Sequence, residues 1–119
     1  NGIKKFVILN VSAAFHSKFM IEAQKELSKD IDELNFIENN VNIISNYDAG
    51  FHSDTFKIKY NLKNQMANRV NWTKSINKLE NIGESKIIEI GPSKILSGLI
   101  KRISNNFDII SINEISDLE

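Results

Sequence analysis

Short β-branched apolar runs alternate along this chain with longer stretches whose apolar residues fall on one helical stripe, and few folds accept that alternation. Residues 5–11 (Lys-Phe-Val-Ile-Leu-Asn-Val) are almost continuously apolar and predict a strand buried on both faces. A loop over residues 12–17 carries His16. A helix is expected over residues 18–34, with Phe19, Ala23, Leu27, Ile31 and Leu34 spaced 4, 4, 4 and 3 along one stripe. Ser17 suits its N-cap, because the hydroxyl accepts from free amide groups of the first turn. Residues 41–45 predict a second short strand, ended by the turn-forming Asn46-Tyr47-Asp48-Ala49-Gly50. Residues 55–67 fit two patterns. Phe56, Ile58, Tyr60 and Leu62 alternate as in a strand, while Ile58, Leu62 and Met66 share a helix face. Trp72, Ile76, Leu79 and Ile82 mark a clearer helix closed by Gly83. Residues 86–90 predict a third buried strand. Gly91-Pro92-Ser93 then turns into a helix with Ile95, Leu96, Leu99, Ile100 and Ile103 inside, and residues 107–112 form a last strand. Strands alternating with helices predict an α/β fold with a parallel or mostly parallel sheet and flanking helices. Ligand sites in such sheets lie at the carboxyl ends of strands, which would gather His16, Asn46 and Gly91-Pro92.

Composition narrows what such a fold can serve. The 119 residues suffice for one domain at most. Lys+Arg and Asp+Glu each number 15, for a net charge of +0, which argues against bulk binding to nucleic acid or a membrane surface. The chain has no cysteine, which excludes disulfides, thiolate metal sites and thiol nucleophiles. No apolar run approaches the length of a membrane span. The first residue is Asn1, no signal peptide is visible, and the strand pattern starts within a few residues, as expected of a chain cut from something longer.

Chemistry points first to the two histidines. His52 lies in the polar stretch Gly50-Phe51-His52-Ser53-Asp54 and reads as a solvated loop residue. His16 lies between an apolar strand and a capped helix. By itself it reads as a histidine packed at that junction.

The residues around it suggest more. Val11-Ser12-Ala13-Ala14-Phe15-His16-Ser17-Lys18-Phe19-Met20 resembles the segment around the catalytic histidine of malonyl-CoA:acyl carrier protein transacylases and of the related acyltransferase domains of polyketide and fatty acid synthases. Ile44-Ser45-Asn46-Tyr47-Asp48-Ala49 resembles that family's strand-to-turn segment. Asn64-Gln65-Met66 with Arg69-Val70-Asn71-Trp72-Thr73 resembles its glutamine-bearing helix end and tryptophan helix. Glu89-Ile90-Gly91-Pro92-Ser93-Lys94-Ile95-Leu96, running on to Ile103, resembles its glycine–proline turn and final helix. The chain departs from the family at Lys18, Arg69 and Ser93, where proline, proline and glycine are common. None of the three alters a group that does chemistry.

The resemblance implies the C-terminal part of an α/β-hydrolase-like acyltransferase core. Residues 1–11 would be the last strand of a ferredoxin-like small subdomain, and residues 12–119 the C-terminal part of the α/β-hydrolase-like domain. It implies a ping-pong transfer of malonyl from malonyl-CoA, through an acyl-serine, to the phosphopantetheine thiol of acyl carrier protein in fatty acid synthesis. His16 would be the general base, since an imidazole exchanges protons near neutrality. The main-chain carbonyl at Gln65 would orient it. Asn46 would support the histidine loop, or is only turn chemistry. Lys101 and Arg102 would touch the acidic carrier protein or coenzyme phosphates, or are only cations placed at a helix C-terminus. Lys94 and Lys18 are similar candidates. The family's nucleophile sits in a Gly-His-Ser-x-Gly turn, which does not occur in this chain, so the serine is expected N-terminal to it. No cofactor and no metal are implied; the substrate is malonyl-CoA. The partners would be acyl carrier protein and the N-terminal remainder of the enzyme, with no nucleic acid and no membrane. The location would be cytoplasmic in a bacterium, plastid or mitochondrion in a eukaryote. A polyketide synthase acyltransferase domain and a non-catalytic α/β interaction module are the alternatives.

Overall fold

The computed structural model describes residues 11–38 and 40–118. The strand expected over residues 5–11, and with it the subdomain boundary, lies outside them except for Val11, which is exposed and in no strand. Ser17 caps a 3-10 turn, Lys18–Met20, its hydroxyl accepting from the Phe19 N–H at 3.4 Å. Helix α1 (Ile21–Glu33) continues from it. Strands β1 (Ile43–Ile44) and β2 (Phe51–His52) form an antiparallel ladder around residues 45–50. Helices α2 (Thr55–Asn64) and α3 (Trp72–Asn81) follow. Strand β3 (Lys86–Ile90), helix α4 (Ile95–Lys101) and strand β4 (Asp108–Ile112) form a βαβ unit whose strands pair in parallel from Lys86–Asp108 to Ile90–Ile112.

Residues 55–67 resolve to a helix over their first ten positions because Asp54 caps it: its carboxylate accepts from the Phe56 and Lys57 N–H groups at 2.9 and 3.3 Å. The face that the helix buries is Ile58 and Asn61, while Phe56 and Tyr60, half of the alternating set, stay exposed. Helix α2 packs on α1, and Lys63 joins Asp32 across the pair at 2.8 Å. Gly83 ends α3 at φ +85°, as its position predicts.

The core gathers Ile76 of α3, Ile100 of α4 and Phe107, with Trp72, Leu79, Ile87, Ile103 and Ile109 around them. One face of the parallel pair is thus covered. The other is not. Ile88 and Ile90, on the opposite side of β3 from Ile87, are exposed, Ile90 by 80%. The strand predicted as buried is therefore buried on one face only. In α4, Ile100 is 1% exposed, but Ile95, Leu96 and Leu99, predicted inside, face outward. The α1 stripe buries only Ile31, and Phe19 is 78% exposed. The mostly parallel sheet also needs revision. Among the described residues one ladder is parallel and one antiparallel, each of two strands. The antiparallel one forms because residues 45–50 close a turn that returns Phe51-His52 to the preceding strand, a pairing too short to show as a sequence period.

Glu89 is the polar exception inside the βαβ unit, 7% exposed. Its carboxylate accepts from the Leu96 and Ser97 N–H groups at 3.0 and 2.8 Å and from the Ser97 hydroxyl, so it holds the first turn of α4 against β3. The Ser97 hydroxyl, aided by these amides, keeps the Glu89 pKa below the ordinary glutamate value despite the opposing effect of burial.

Parallel sheets are stable when both faces and both edges are covered. Residues 1–119 purified alone are therefore expected to bind a dye specific for exposed apolar surface and to melt without a cooperative transition. A sharp calorimetric transition from a monomer would refute this.

Candidate functional site

His16 adopts φ +62°, in the left-handed region that few non-glycine residues occupy. Its conformation is held from the loop between α2 and α3. The His16 N–H donates to the Met66 carbonyl at 2.8 Å. The ring Nδ1–H donates to the Gln65 carbonyl at 3.0 Å and the Asn68 carbonyl at 3.2 Å. Carbonyl oxygens only accept, so these partners place the proton of a neutral ring on Nδ1. The Nε2 lone pair is then free to take a proton. Among the described residues, none is hydrogen-bonded to Nε2. The ring is exposed. The geometry is that of an oriented base with its accepting nitrogen directed away from its supports.

The acceptor loop starts where α2 stops. Gln65 is the C-cap of that helix, so its carbonyl is one of the terminal ones with no intrahelical partner. The Asn68 side chain donates to the Asn64 carbonyl at 2.8 Å and holds the turn that follows. Asn46 contributes through its backbone. Its carbonyl accepts from the Asn71 N–H at 2.8 Å. Asn46 lines an open groove of about 250 Å³ with Ile43, Ile58, Asn61, Leu62 and Gln65. The expected gathering of His16, Asn46 and Gly91-Pro92 at one site does not occur. Asn46 shares this groove with Gln65, whose carbonyl meets the His16 ring, whereas Gly91 and Pro92 line a separate depression with Ile112 and Ile115.

His52 is not a solvated loop residue. It belongs to β2, and its Nε2 lies 3.1 and 3.0 Å from the two Asp48 carboxylate oxygens. Its side chain is 16% exposed. Asp48 also accepts from the Gly50 N–H at 2.8 Å and the Asn61 amide at 3.2 Å. Burial opposes ionisation of Asp48, but the Gly50 N–H, the His52 ring and the Asn61 amide together hold its pKa below the ordinary aspartate value. A Cβ at Gly50 would lie 2.5 Å from the His52 ring and would push it off its place against Asp48. The pair braces the turn that carries Asn46.

Lys101 is the last residue of α4 and Arg102 its C-cap, both exposed and, among the described residues, without an ion pair. Lys94 and Lys101 border one shallow depression with Ser97 and Ser111. Lys18 lies over the Phe19 ring, 5.8 Å from its centroid. Ser97 is no nucleophile, because its hydroxyl is buried against Glu89 and Ser111. Among the described residues no group of three or more His, Cys, Asp or Glu side chains is arranged to hold a metal ion. None of their helices is long and apolar enough to cross a membrane. Gln24, Asn68 and Asn71, which brace the acceptor loop, have no signature in sequence beyond being amides.

No family model matches the chain. Individual proteins do. It is 35% identical over 119 residues to the malonyl CoA-acyl carrier protein transacylase of Bacillus subtilis (strain 168), covering 100% of this chain and 38% of the relative. It is 44% identical over 104 residues to the polyketide biosynthesis protein PksE of the same organism, covering 87% of this chain and 13% of that protein. Among solved structures, the malonyl-CoA:ACP transacylase of Synechocystis sp. PCC 6803 superposes with a TM-score of 0.91 at 31% identity, over 98% of this chain and 40% of that one. The chain thus spans well under half the length of the curated relatives it matches.

The hydrogen bonds to Nδ1 make a spectroscopic prediction. In protein labelled with ¹⁵N-histidine, neutral His16 should show a protonated Nδ1 and an unprotonated Nε2. A ring carrying its proton on Nε2 would contradict the geometry.

Proposed function

This chain is a homologue of the malonyl CoA-acyl carrier protein transacylases over the part of their length that it spans, and from that premise we propose that it supplies the general base of a malonyl transferase whose nucleophilic serine lies outside it. The observation that carries the reading is the His16 ring, tied by Nδ1–H to the carbonyls of Gln65 and Asn68. A carboxylate fills this place in many hydrolytic triads. A main-chain carbonyl orients the ring as well while adding no charge.

The reaction would run in two halves. The serine hydroxyl gives its proton to Nε2 of His16 as its oxygen attacks the malonyl thioester carbonyl of malonyl-CoA. The tetrahedral intermediate then collapses, the carbon–sulfur bond breaks, and the imidazolium returns the proton to the departing coenzyme A sulfur. In the second half the phosphopantetheine thiol of acyl carrier protein gives its proton to Nε2 and attacks the acyl-serine ester. Collapse releases malonyl-carrier protein, and the proton passes back to the serine oxygen. The left-handed backbone at His16 suits this role, since strained conformations persist where surrounding bonds over-determine them. Residues 12–119 would then be the C-terminal part of an α/β-hydrolase-like domain, working in the cytoplasm of a bacterium. Lys101 and Arg102 would meet the acidic carrier protein, their exposure at the end of α4 leaving both charges available.

A second reading, an acyltransferase serving polyketide synthesis, is favoured by the higher identity to the polyketide biosynthesis protein. The chemistry at His16 would be the same. The contacts at His16, Gln65 and Asn68 weigh against a non-catalytic module.

In the complete enzyme, His16→Ala should leave the fold intact and slow acyl-serine formation by roughly 100- to 10,000-fold. Gln65→Ala should be far milder, because its contribution is a backbone atom. Rapid-quench measurement of acyl-enzyme would decide both, and a wild-type burst in His16→Ala would sink the assignment. Replacing Lys101 and Arg102 by Glu should weaken transfer to the carrier protein and its salt dependence more than acylation by malonyl-CoA. Unchanged rates in both half-reactions would reduce them to a helix-end pair.

A further inference from the structure

His16 is only as well placed as the loop that accepts its bonds, and residues 65–71 belong to no helix or strand that would hold them. Beside the Asn68 amide, which bonds back to the Asn64 carbonyl, two side chains tie them to the rest of the fold. Gln24, in α1 and eight residues after His16, accepts from the Ala67 N–H through Oε1 at 2.8 Å. Asn71 sits at the far end of the loop. Its N–H donates to the Asn46 carbonyl at 2.8 Å, and its side-chain amide donates to the Tyr47 carbonyl. The turn bearing those two carbonyls is braced in its turn by the Asp48–His52 pair and its Asn61 contact. Asn71 also begins α3, where its carbonyl accepts from the Ser75 N–H at 3.0 Å.

We propose that Gln24 and Asn71 are positioning residues for His16, a clamp that fixes the Gln65 and Asn68 carbonyls from both ends of their loop. The inference rests on the role given to His16 above. Gln24 and His16 lie on one continuous stretch, so the loop is bound to that stretch at Ala67, at Met66 and at the ring acceptors. A loop tied at those points cannot translate without breaking a bond to Gln24. Asn71 prevents the remaining motion, a swing about that tether toward or away from β1. Releasing either end would let the two carbonyls drift and the ring turn, which misaligns Nε2 without removing any group that touches substrate.

The test uses the complete enzyme. Gln24→Leu keeps the size and removes the acceptor, whereas Gln24→Glu keeps an acceptor oxygen. Asn71→Asp keeps the shape and replaces the donating amide with an oxygen. Each is read by kcat for acyl-serine formation, by KM for malonyl-CoA and by the ring ¹⁵N and Nδ1–H resonances of His16. Gln24→Leu and Asn71→Asp should lose roughly tenfold to a hundredfold in kcat, with KM within about twofold of wild type, and the Nδ1–H resonance should shift or broaden. Gln24→Glu should restore both readings. The clamp is overturned if folded Gln24→Leu keeps its rate and ring resonances, or if Gln24→Glu is as impaired as Gln24→Leu. Should Gln24→Leu fail to fold, Asn71→Asp decides by the same readings. His16→Ala, run alongside, separates the two claims. Transfer at wild-type rate in that variant defeats the role of His16 while the resonances still report on the clamp. An inactive His16→Ala beside an unaffected Gln24→Leu defeats the clamp alone.

Discussion

Three carbonyls, those of Gln65, Met66 and Asn68, receive the main-chain and ring N–H groups of His16. These bonds give the ring of a loop residue a fixed direction. A left-handed backbone at a non-glycine position costs about 1–3 kcal/mol, and the two donors of His16, the main-chain N–H and the ring Nδ1–H shared between two carbonyls, at about 1 kcal/mol each are of the size to offset it. The conformation is therefore sustained by the loop it touches and not by the histidine's own preferences. Without that loop, the segment from Ala13 to Ser17 would relax and the ring would lose its direction.

The remaining elements can be ranked by how they serve that loop. Helix α2 delivers Gln65 at its open carboxyl end and is itself set by the Asp54 cap and by the Asp32–Lys63 pair to α1. The β1–β2 hairpin presents the Asn46 and Tyr47 carbonyls, which take the two donors of Asn71. Helix α3 begins at that point and carries Ile76 into the core with Ile100 and Phe107. The βαβ unit is the anchor, and Glu89 fastens α4 to it by filling the free amides of its first turn. The open apolar face of β3, with Ile88 and Ile90, belongs to the same architecture. A parallel pair with one covered face is half of a layered α/β arrangement, in keeping with a chain that spans 38% of a transacylase relative.

Much of the fold is legible in the residues. The bounds of β3, the close of α3 at Gly83 and the cap at Ser17 all follow from apolar period, glycine and hydroxyl placement. Burial is less legible, for a physical reason. The outward Ile90, Ile95 and Phe19 carry the same apolar signal as the buried Ile100, because a period shows which face needs cover and says nothing about whether the cover is present. His52 misleads in the other direction. A histidine amid Gly, Ser and Asp reads as solvated, yet the turn folds it back onto Asp48 four residues earlier.

By itself the sequence determined the α/β alternation, the identity of the histidine and, through resemblance, the glutamine across from it, because those are properties of residue types and of short spacings. The tertiary structure alone decided the tautomer of His16, its left-handed backbone, the second acceptor at Asn68 and the amides that hold the acceptor loop. Those depend on which backbone carbonyl meets which N–H. Every residue carries a carbonyl, so its chemistry leaves no mark in the sequence, and the partners here come from stretches 49 and 52 residues apart. Only packing of α1, α2 and the β1–β2 turn brings them within bonding distance.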